Sequence, residues 1–213
     1  MCLCVAWLGA MFALRRLLLL ILIVVAVYCF WPRSSSMTGF DPQRMSELQI
    51  TVWKAEANRK PKSLILPLFH LYEGQFHLPP ISALKISFDT ARALHIFYTS
   101  PDAAAQDRAV LPLQTVFLTL KSNTKAGFDS SAAARMEVMT WMLRADHAKR
   151  AQLTTAWSEL IGLLFGHSAD ESLPAAKKFS IASKLAEDGK WDEAQSTLLE
   201  AWQMIKDLPA PAK

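Results

Sequence analysis

Histidine and carboxylate side chains are the groups in this sequence that could hold a metal ion. His70 and Glu73 lie one helical turn apart, at the spacing with which a histidine and a carboxylate on one helix share a metal. A di-metal helical bundle needs further carboxylates on other helices, and the apolar helix faces of this sequence carry none. His95 lies on an apolar face, where we expect a buried, hydrogen-bonded histidine. We therefore predict no metal site and no cofactor.

Motifs for covalent or nucleotide chemistry are also missing from the sequence. It contains no Gly-x-Ser-x-Gly element, no Walker loop and no dinucleotide-binding fingerprint. Only 7 of its 213 residues are glycine, which leaves little material for the tight loops that bind phosphate through backbone amides. The sequence predicts that the protein is not an enzyme. A site assembled from scattered residues remains a third alternative.

Tryptophans are the largest apolar anchors of the chain. Trp53 and Trp141 are separated by 88 positions, and we expect both to be buried at equivalent places in the core. Trp191 follows a turn and opens a helix, so we predict that it is partly exposed and contacts a partner protein.

The charge balance argues against nucleic-acid binding. Three of the 23 basic residues, Arg15, Arg16 and Arg33, precede residue 37, whereas all 19 acidic residues follow it. The rest of the chain therefore carries 20 basic and 19 acidic residues, and phosphate backbones bind clustered excess cations. The hydrophobic fraction of 52% excludes a disordered chain, because it provides enough apolar surface for a core.

The N-terminal segment predicts a membrane anchor. Leu17 to Trp31 is uncharged and apolar, and residues 11–31 together approach the length that spans a bilayer if Arg15 and Arg16 extend to the headgroups. We expect a single-pass, retained signal-anchor. A cleaved signal peptide and a buried core helix are the alternatives.

Basic residues next to this segment suggest an orientation and a surface for lipid headgroups. Two arginines on the short N-terminal tail favour a cytoplasmic N-terminus, which places the body on the extracytoplasmic side of the inner membrane. The start of the chain is Met1 or Met11. We predict headgroup contacts for five basic side chains: Arg15, Arg16, Arg59, Lys60 and Lys62.

From residue 40 onward the sequence predicts an all-α body of eight helices. Apolar residues recur at helical spacing, and no segment alternates with the period of a strand. Asp41 before Pro42 is a typical helix start, and Asp129 begins another helix in the same way. The predicted helices are roughly 42–59, 63–73, 80–98, 103–120, 130–144, 149–165, 175–188 and 191–207.

Self-comparison indicates an internal duplication. Identical or similar residues recur at separations of 88, 89 and 85, and the change from 89 to 85 falls in one turn. The strongest matches are Phe40 with Phe128, Asp41 with Asp129, Trp53 with Trp141, Phe76 with Phe165, Ala93 with Ala182, Ala109 with Ala194 and Leu113 with Leu198. We predict an anchor and linker (1–36) followed by two tandem four-helix units (37–122 and 123–213) packed as one globular body. Chance similarity between amphipathic helices is the alternative.

The last two predicted helices resemble a tetratricopeptide (TPR) hairpin, over residues 178–208. The resemblance is carried by Ala182, Leu185, Gly189, Trp191, Ala194, Leu198 and Ala201, and a degenerate copy covers residues 84–121. Lys178 stands where such repeats have a large apolar residue, and Pro209 comes about three residues late. The resemblance implies a helix-pair scaffold that binds proteins through a concave face. It covers only these segments, and the whole chain resembles no family.

These features predict a function in protein binding. The anchor, the duplication and the missing catalytic motifs favour a single-pass membrane-anchored helical scaffold that binds or positions another protein at the membrane surface. An accessory structural subunit of a larger membrane complex is the alternative.

Overall fold

The computed structural model describes residues 2–30, 35–58, 61–99, 103–146 and 149–209, with side chains omitted at 2–14, 61, 103–105 and 150. Over these residues it contains nine α-helices and no strand. The helices are α1 (Cys2–Phe30), α2 (Pro42–Ala57), α3 (Pro61–Gln75), α4 (Pro80–Thr99), α5 (Ala103–Thr124), α6 (Ser130–Ala145), α7 (Arg150–Phe165), α8 (Ala169–Glu187) and α9 (Trp191–Lys206). The prediction of an all-α fold is confirmed.

Local signals set the ends of these helices. The Asp41 carboxylate accepts a hydrogen bond from the backbone amide of Arg44 at 3.0 Å and caps α2, and Asp129 caps α6 in the same manner. Ser168 and Glu171 form a reciprocal capping box at the start of α8. Gly189, with a φ of 75°, makes the left-handed turn between α8 and α9, a conformation that other residues adopt at a cost.

Helices α2 to α9 form a closed ring. Each helix packs against its neighbours in the chain, and α9 packs against α2. The connections are short, so consecutive helices run antiparallel. In a ring of eight such helices, α2 and α6 stand on opposite sides and point in the same direction. The described part of α1 lies outside the ring, with α4 as its main contact.

The contact between α9 and α2 closes the ring through side chains that are far apart in sequence. The indole Nε1 of Trp202 donates to Oε1 of Gln49 at 2.7 Å, and Nζ of Lys206 donates to the backbone carbonyl of Phe40 at 2.9 Å. The Phe40 ring packs edge-on against Trp202, with 5.1 Å between the ring centroids. Apolar burial and two hydrogen bonds therefore join the two ends of the ring.

Most predicted helix positions agree with the structure, with two corrections at helix starts. Pro61 is the first residue of α3 and not, as predicted, part of the linker after the preceding helix. Proline fits the first turn of a helix because a backbone amide there has no hydrogen-bond partner to lose. Helix α8 begins at Ala169, before the expected residue 175. Pro174 lies inside α8, six residues after the Ser168 cap, where proline cannot donate a hydrogen bond to the backbone carbonyl of Asp170.

The predicted transmembrane helix, and with it the single-pass signal-anchor and the inner-membrane location, is wrong. Among the residues that the structure describes, no helix combines the length and the apolar character needed to cross a bilayer. The physical reason is the position of Arg15 and Arg16 within α1. The apolar run that follows, Leu17 to Phe30, rises only about 21 Å, whereas a bilayer core is about 30 Å thick. Residue 31 and the side chains of 11–14 lie outside the described part.

The packed pairs of antiparallel helices are compatible with a helical repeat, as the resemblance of residues 178–208 to a helix-pair scaffold implies. In the pair α8 and α9, the small residues Ala182, Ala194 and Ala201 are completely buried, and they let the two helices approach closely. The ring takes four helices from residues 42–124 and four from 130–206. The division into two duplicated units stays a prediction.

Candidate functional site

The inner wall of the ring encloses a cavity of about 200 Å³, which we call the chamber. Its wall is mostly apolar and aromatic, with contributions from helices on all sides. Trp53 of α2 and Trp141 of α6 both line it, and both are buried, which confirms their predicted burial. The concave side of the helix array therefore faces this partly open interior.

A buried ion pair bridges the ring between α2 and α6. Nη2 of Arg144 lies 3.1 Å from Oε1 of Glu56, and the hydroxyl of Tyr98 donates to the same oxygen. The Arg144 guanidinium also lies over the Trp53 ring, 5.2 Å from its centroid. Glu56 stands in the last turn of α2, where the helix dipole disfavours a negative charge. The positive charge of Arg144 offsets this unfavourable interaction between the Glu56 carboxylate and the helix dipole.

Glu137 is a second carboxylate on the chamber wall. Its Oε1 accepts a hydrogen bond from Nε1 of Trp141 at 2.9 Å. Burial raises the pKa of Glu137 to about 7, against the opposing effects of the Trp141 hydrogen bond and of Arg144, while Glu56 raises it further. The side chain is only half-buried by surface area, because it borders the open space of the chamber. This carboxyl group changes its charge near neutral pH.

A pair of hydroxyl groups also lies on the chamber wall. The Tyr72 hydroxyl and Oγ1 of Thr90 lie 2.9 Å apart, and burial raises the pKa of Tyr72 well above its ordinary value. Tyr72 is therefore neutral at physiological pH. The charged side chains lining the chamber, among the described residues, are Glu56, Glu137 and Arg144.

A second cavity of about 350 Å³ adjoins the chamber, and we call it the vestibule. The two cavities share four residues: Trp53, Glu56, Trp141 and Arg144. Glu187 and Trp191 complete one side of the vestibule, and Nζ of Lys54 lies 5.5 Å from the centroid of the Trp191 ring. The ion pair therefore lies between the chamber and the outer surface.

The apolar helix α1 presents a different kind of site. Its large apolar side chains between Leu17 and Phe30 are 47–67% exposed, and these side chains cover every face of the helix. Continuous apolar surfaces of this extent mark interaction sites in proteins.

The structure places the predicted contact residues on the outside of the molecule. Trp191 is half-buried at the vestibule, and Arg15, Arg16 and Lys62 are exposed. Arg59 and Lys60 lie outside the described residues. A partner contact by Trp191 and headgroup contacts by the basic residues stay predictions.

Two expectations for titratable residues were wrong. His95 is exposed, because it falls on the outer edge of the α4 apolar face. The helix faces do carry inward carboxylates, Glu56 and Glu137. Within the described residues, no group of three or more His, Cys, Asp or Glu side chains is arranged to hold a metal ion.

A signal for the missed residues is present in the sequence. Glu56 follows Trp53 by three positions, and Arg144 follows Trp141 by three, so each charge shares a helix face with a buried tryptophan. The same separation of 88 that relates the tryptophans relates Glu56 to Arg144. Opposite charges at two equivalent inward positions indicate an ion pair across the ring.

Comparison with known proteins adds no relative. The chain matches no protein-family model, no curated protein and no solved structure.

Proposed function

We propose that the protein is a helical scaffold that binds another protein through the apolar surface of α1. The observation that carries this proposal is the exposure of the large apolar side chains from Leu17 to Phe30. Burial of a single leucine or isoleucine side chain contributes about 1.5–3 kcal/mol. Covering a helix with this many exposed apolar side chains would therefore give a large favourable free energy of binding.

The closure of the ring leaves α1, and not the concave face of the helix array, as the surface for a partner protein. In an open array of helix pairs, the concave face accepts a partner protein. Here α9 packs against α2, and the concave side surrounds a chamber too small for a polypeptide. A hydrophobic groove on the partner accepts an apolar helix without requiring a fixed length.

An accessory structural subunit of a larger complex is the second candidate. It is favoured by the exposure of apolar side chains on every side of α1, because a single groove covers only one face of a helix. Several helices from a complex would surround it. A permanent subunit would then be found only at the size of its complex, whereas a scaffold would also occur free.

Site-specific photo-crosslinking in the source cells tests the proposal. A photoreactive residue at Ile21 or Val24 of α1 should crosslink to one distinct protein, and the same residue at Leu111, an exposed position on α5, should not. Leu20→Lys with Val24→Lys should remove that complex and shift the native size to that of the free chain. Crosslinks from α1 only to a second copy of this chain, or to no protein, would contradict the proposal.

A further inference from the structure

We propose that the chamber binds a small organic cation, a primary amine on an apolar body of one ring, with its ammonium group against the Glu137 carboxylate. This inference concerns the inside of the ring and is independent of protein binding by α1.

The size of the chamber sets the size of the ligand. A dry cavity of about 150 Å³ in a protein core accepts one benzene molecule. The chamber measures about 200 Å³, so it has room for a ring with a short side chain. Its apolar wall matches an apolar body and would leave extra polar groups on that body without partners.

The charged side chains on the chamber wall favour a ligand with a positive charge. Glu56 is already paired with Arg144 at 3.1 Å and receives the Tyr98 hydroxyl. Glu137 accepts a hydrogen bond from the neutral indole N–H of Trp141. The described chamber wall thus holds two carboxylates and one guanidinium. When both carboxylates are ionised, an ammonium ion would bring the net charge of the chamber to zero. Hydrogen bonds between an ammonium and a carboxylate are about twice as strong as neutral ones.

The vestibule supplies a route that suits the same ligand. Its shared boundary with the chamber carries Trp53 and Trp141, and an ammonium ion is attracted to the faces of tryptophan rings. The acidic Glu187 also lines the vestibule. Arg144 lies at the same boundary, over the Trp53 ring, and its positive charge is compensated by Glu56. A cation on this route is therefore attracted by Glu187 and by the Trp141 ring.

Titration of Glu137 provides an independent readout. The titratable and charged groups that act on it are Glu56 from α2, Tyr72 from α3 and Arg144 from its own helix. Glu137 takes up a proton when the pH falls through its pKa of about 7, and a neutral carboxyl group attracts an ammonium less. An alkylamine stays protonated over this range, as lysine does.

Three probes of matched shape test the inference with the full chain: phenethylamine, 2-phenylethanol and phenylacetate. Titration calorimetry should show that phenethylamine binds about tenfold more tightly than the alcohol at pH 8, and that phenylacetate binds least. The affinity of phenethylamine should fall several-fold from pH 8 to pH 6, while that of the alcohol stays constant. Glu137→Gln should remove the preference for the amine. Glu159→Gln, which removes an exposed carboxylate on α7, should preserve it.

The wild-type probe series is decisive even if a variant unfolds. Equal binding of the amine and the alcohol would overturn the assignment of charge, and binding of none of the probes would overturn the inference as a whole. Retention of the amine preference in a folded Glu137→Gln protein would exclude this carboxylate as its partner.

Discussion

Helices α2 and α6 stand on opposite sides of the ring and differ in their charges at the same depth. Each begins at an aspartate cap, Asp41 or Asp129, and each turns a tryptophan into the chamber. Where α2 has Glu56, α6 has Arg144, 88 positions later. One helical framework thus supplies both partners of an ion pair, because charges on opposite walls of a ring meet near its axis.

A second difference between the two helices concerns an uncharged and a charged residue. Gln49 of α2 corresponds to Glu137 of α6 at the same separation. Gln49 accepts a hydrogen bond from Trp202 and helps to close the ring, whereas Glu137 accepts one from Trp141 of its own helix. The α2 position therefore serves the fold, and the α6 position leaves a titratable group in the chamber.

The largest expected effect tests the equivalence of the two tryptophans. Trp53→Ala and Trp141→Ala should each lower the free energy of unfolding by about 3–5 kcal/mol, because each empties a buried site on the chamber wall. Chemical denaturation of the full chain measures this loss. An unchanged unfolding curve for either variant would show that its side chain does not support the core.

The ion pair should show strong coupling between α2 and α6. Arg144→Met should cost about 2–4 kcal/mol, because it leaves the buried Glu56 carboxylate without its cation. The double variant Glu56→Gln with Arg144→Met should lose much less stability than the sum of the single changes. Denaturation of the four proteins in this cycle gives the coupling, and strict additivity would disprove the bridge.

Stability should depend on pH through Glu137. The pKa of this carboxyl is about 7 in the folded protein against 4.5 as its ordinary value, so both states are protonated below pH 4.5. Between pH 4.5 and 7 the unfolded chain ionises first, and the folded wild type loses stability. Glu137→Gln should therefore become more stable relative to wild type over this window, by about 3 kcal/mol in total.

Thermal unfolding from pH 4 to pH 8 measures the Glu137 effect. Glu159→Gln is the control, and its difference from wild type should stay flat because its carboxylate is exposed. A flat difference for Glu137→Gln as well would mean that the chamber does not perturb this group.

The smallest expected effect concerns the two caps. Asp41→Ala and Asp129→Ala each remove a carboxylate that accepts backbone amide hydrogen bonds at a helix start. Each substitution should lower the Tm by about 2–4 °C. Backbone hydrogen bonds from Ala132 and Ser131 hold the pKa of Asp129 below its ordinary value, so the Asp129→Ala effect should shrink in acid. Calorimetry measures both shifts, and an unchanged Tm would show that the cap is dispensable.

The sequence predicted the helices of the ring well and the site poorly. The predicted helix starts at Asp41, Asp129 and Trp191 agree with the structure, because capping and periodicity depend on neighbouring residues. Glu56 and Glu137 were missed because a helix with two buried faces shows no clean boundary between apolar and polar sides. His95 was misplaced for the same reason.

The apolar N-terminal segment was identified correctly as a helix and wrongly as a membrane span. Helix propensity and hydrophobicity are local properties, and they are evident from Leu17 onward. Spanning depends on the length of the whole apolar run, which Arg15 and Arg16 shorten.

The sequence by itself determined the all-α class, the order of the helices and most of their ends, since capping groups and the helical period act over a few residues. Only the tertiary structure decided that the helices close into a ring and that Arg144 meets Glu56. Those contacts join residues 88 to 166 positions apart, and they depend on how whole helices pack, which no local spacing encodes.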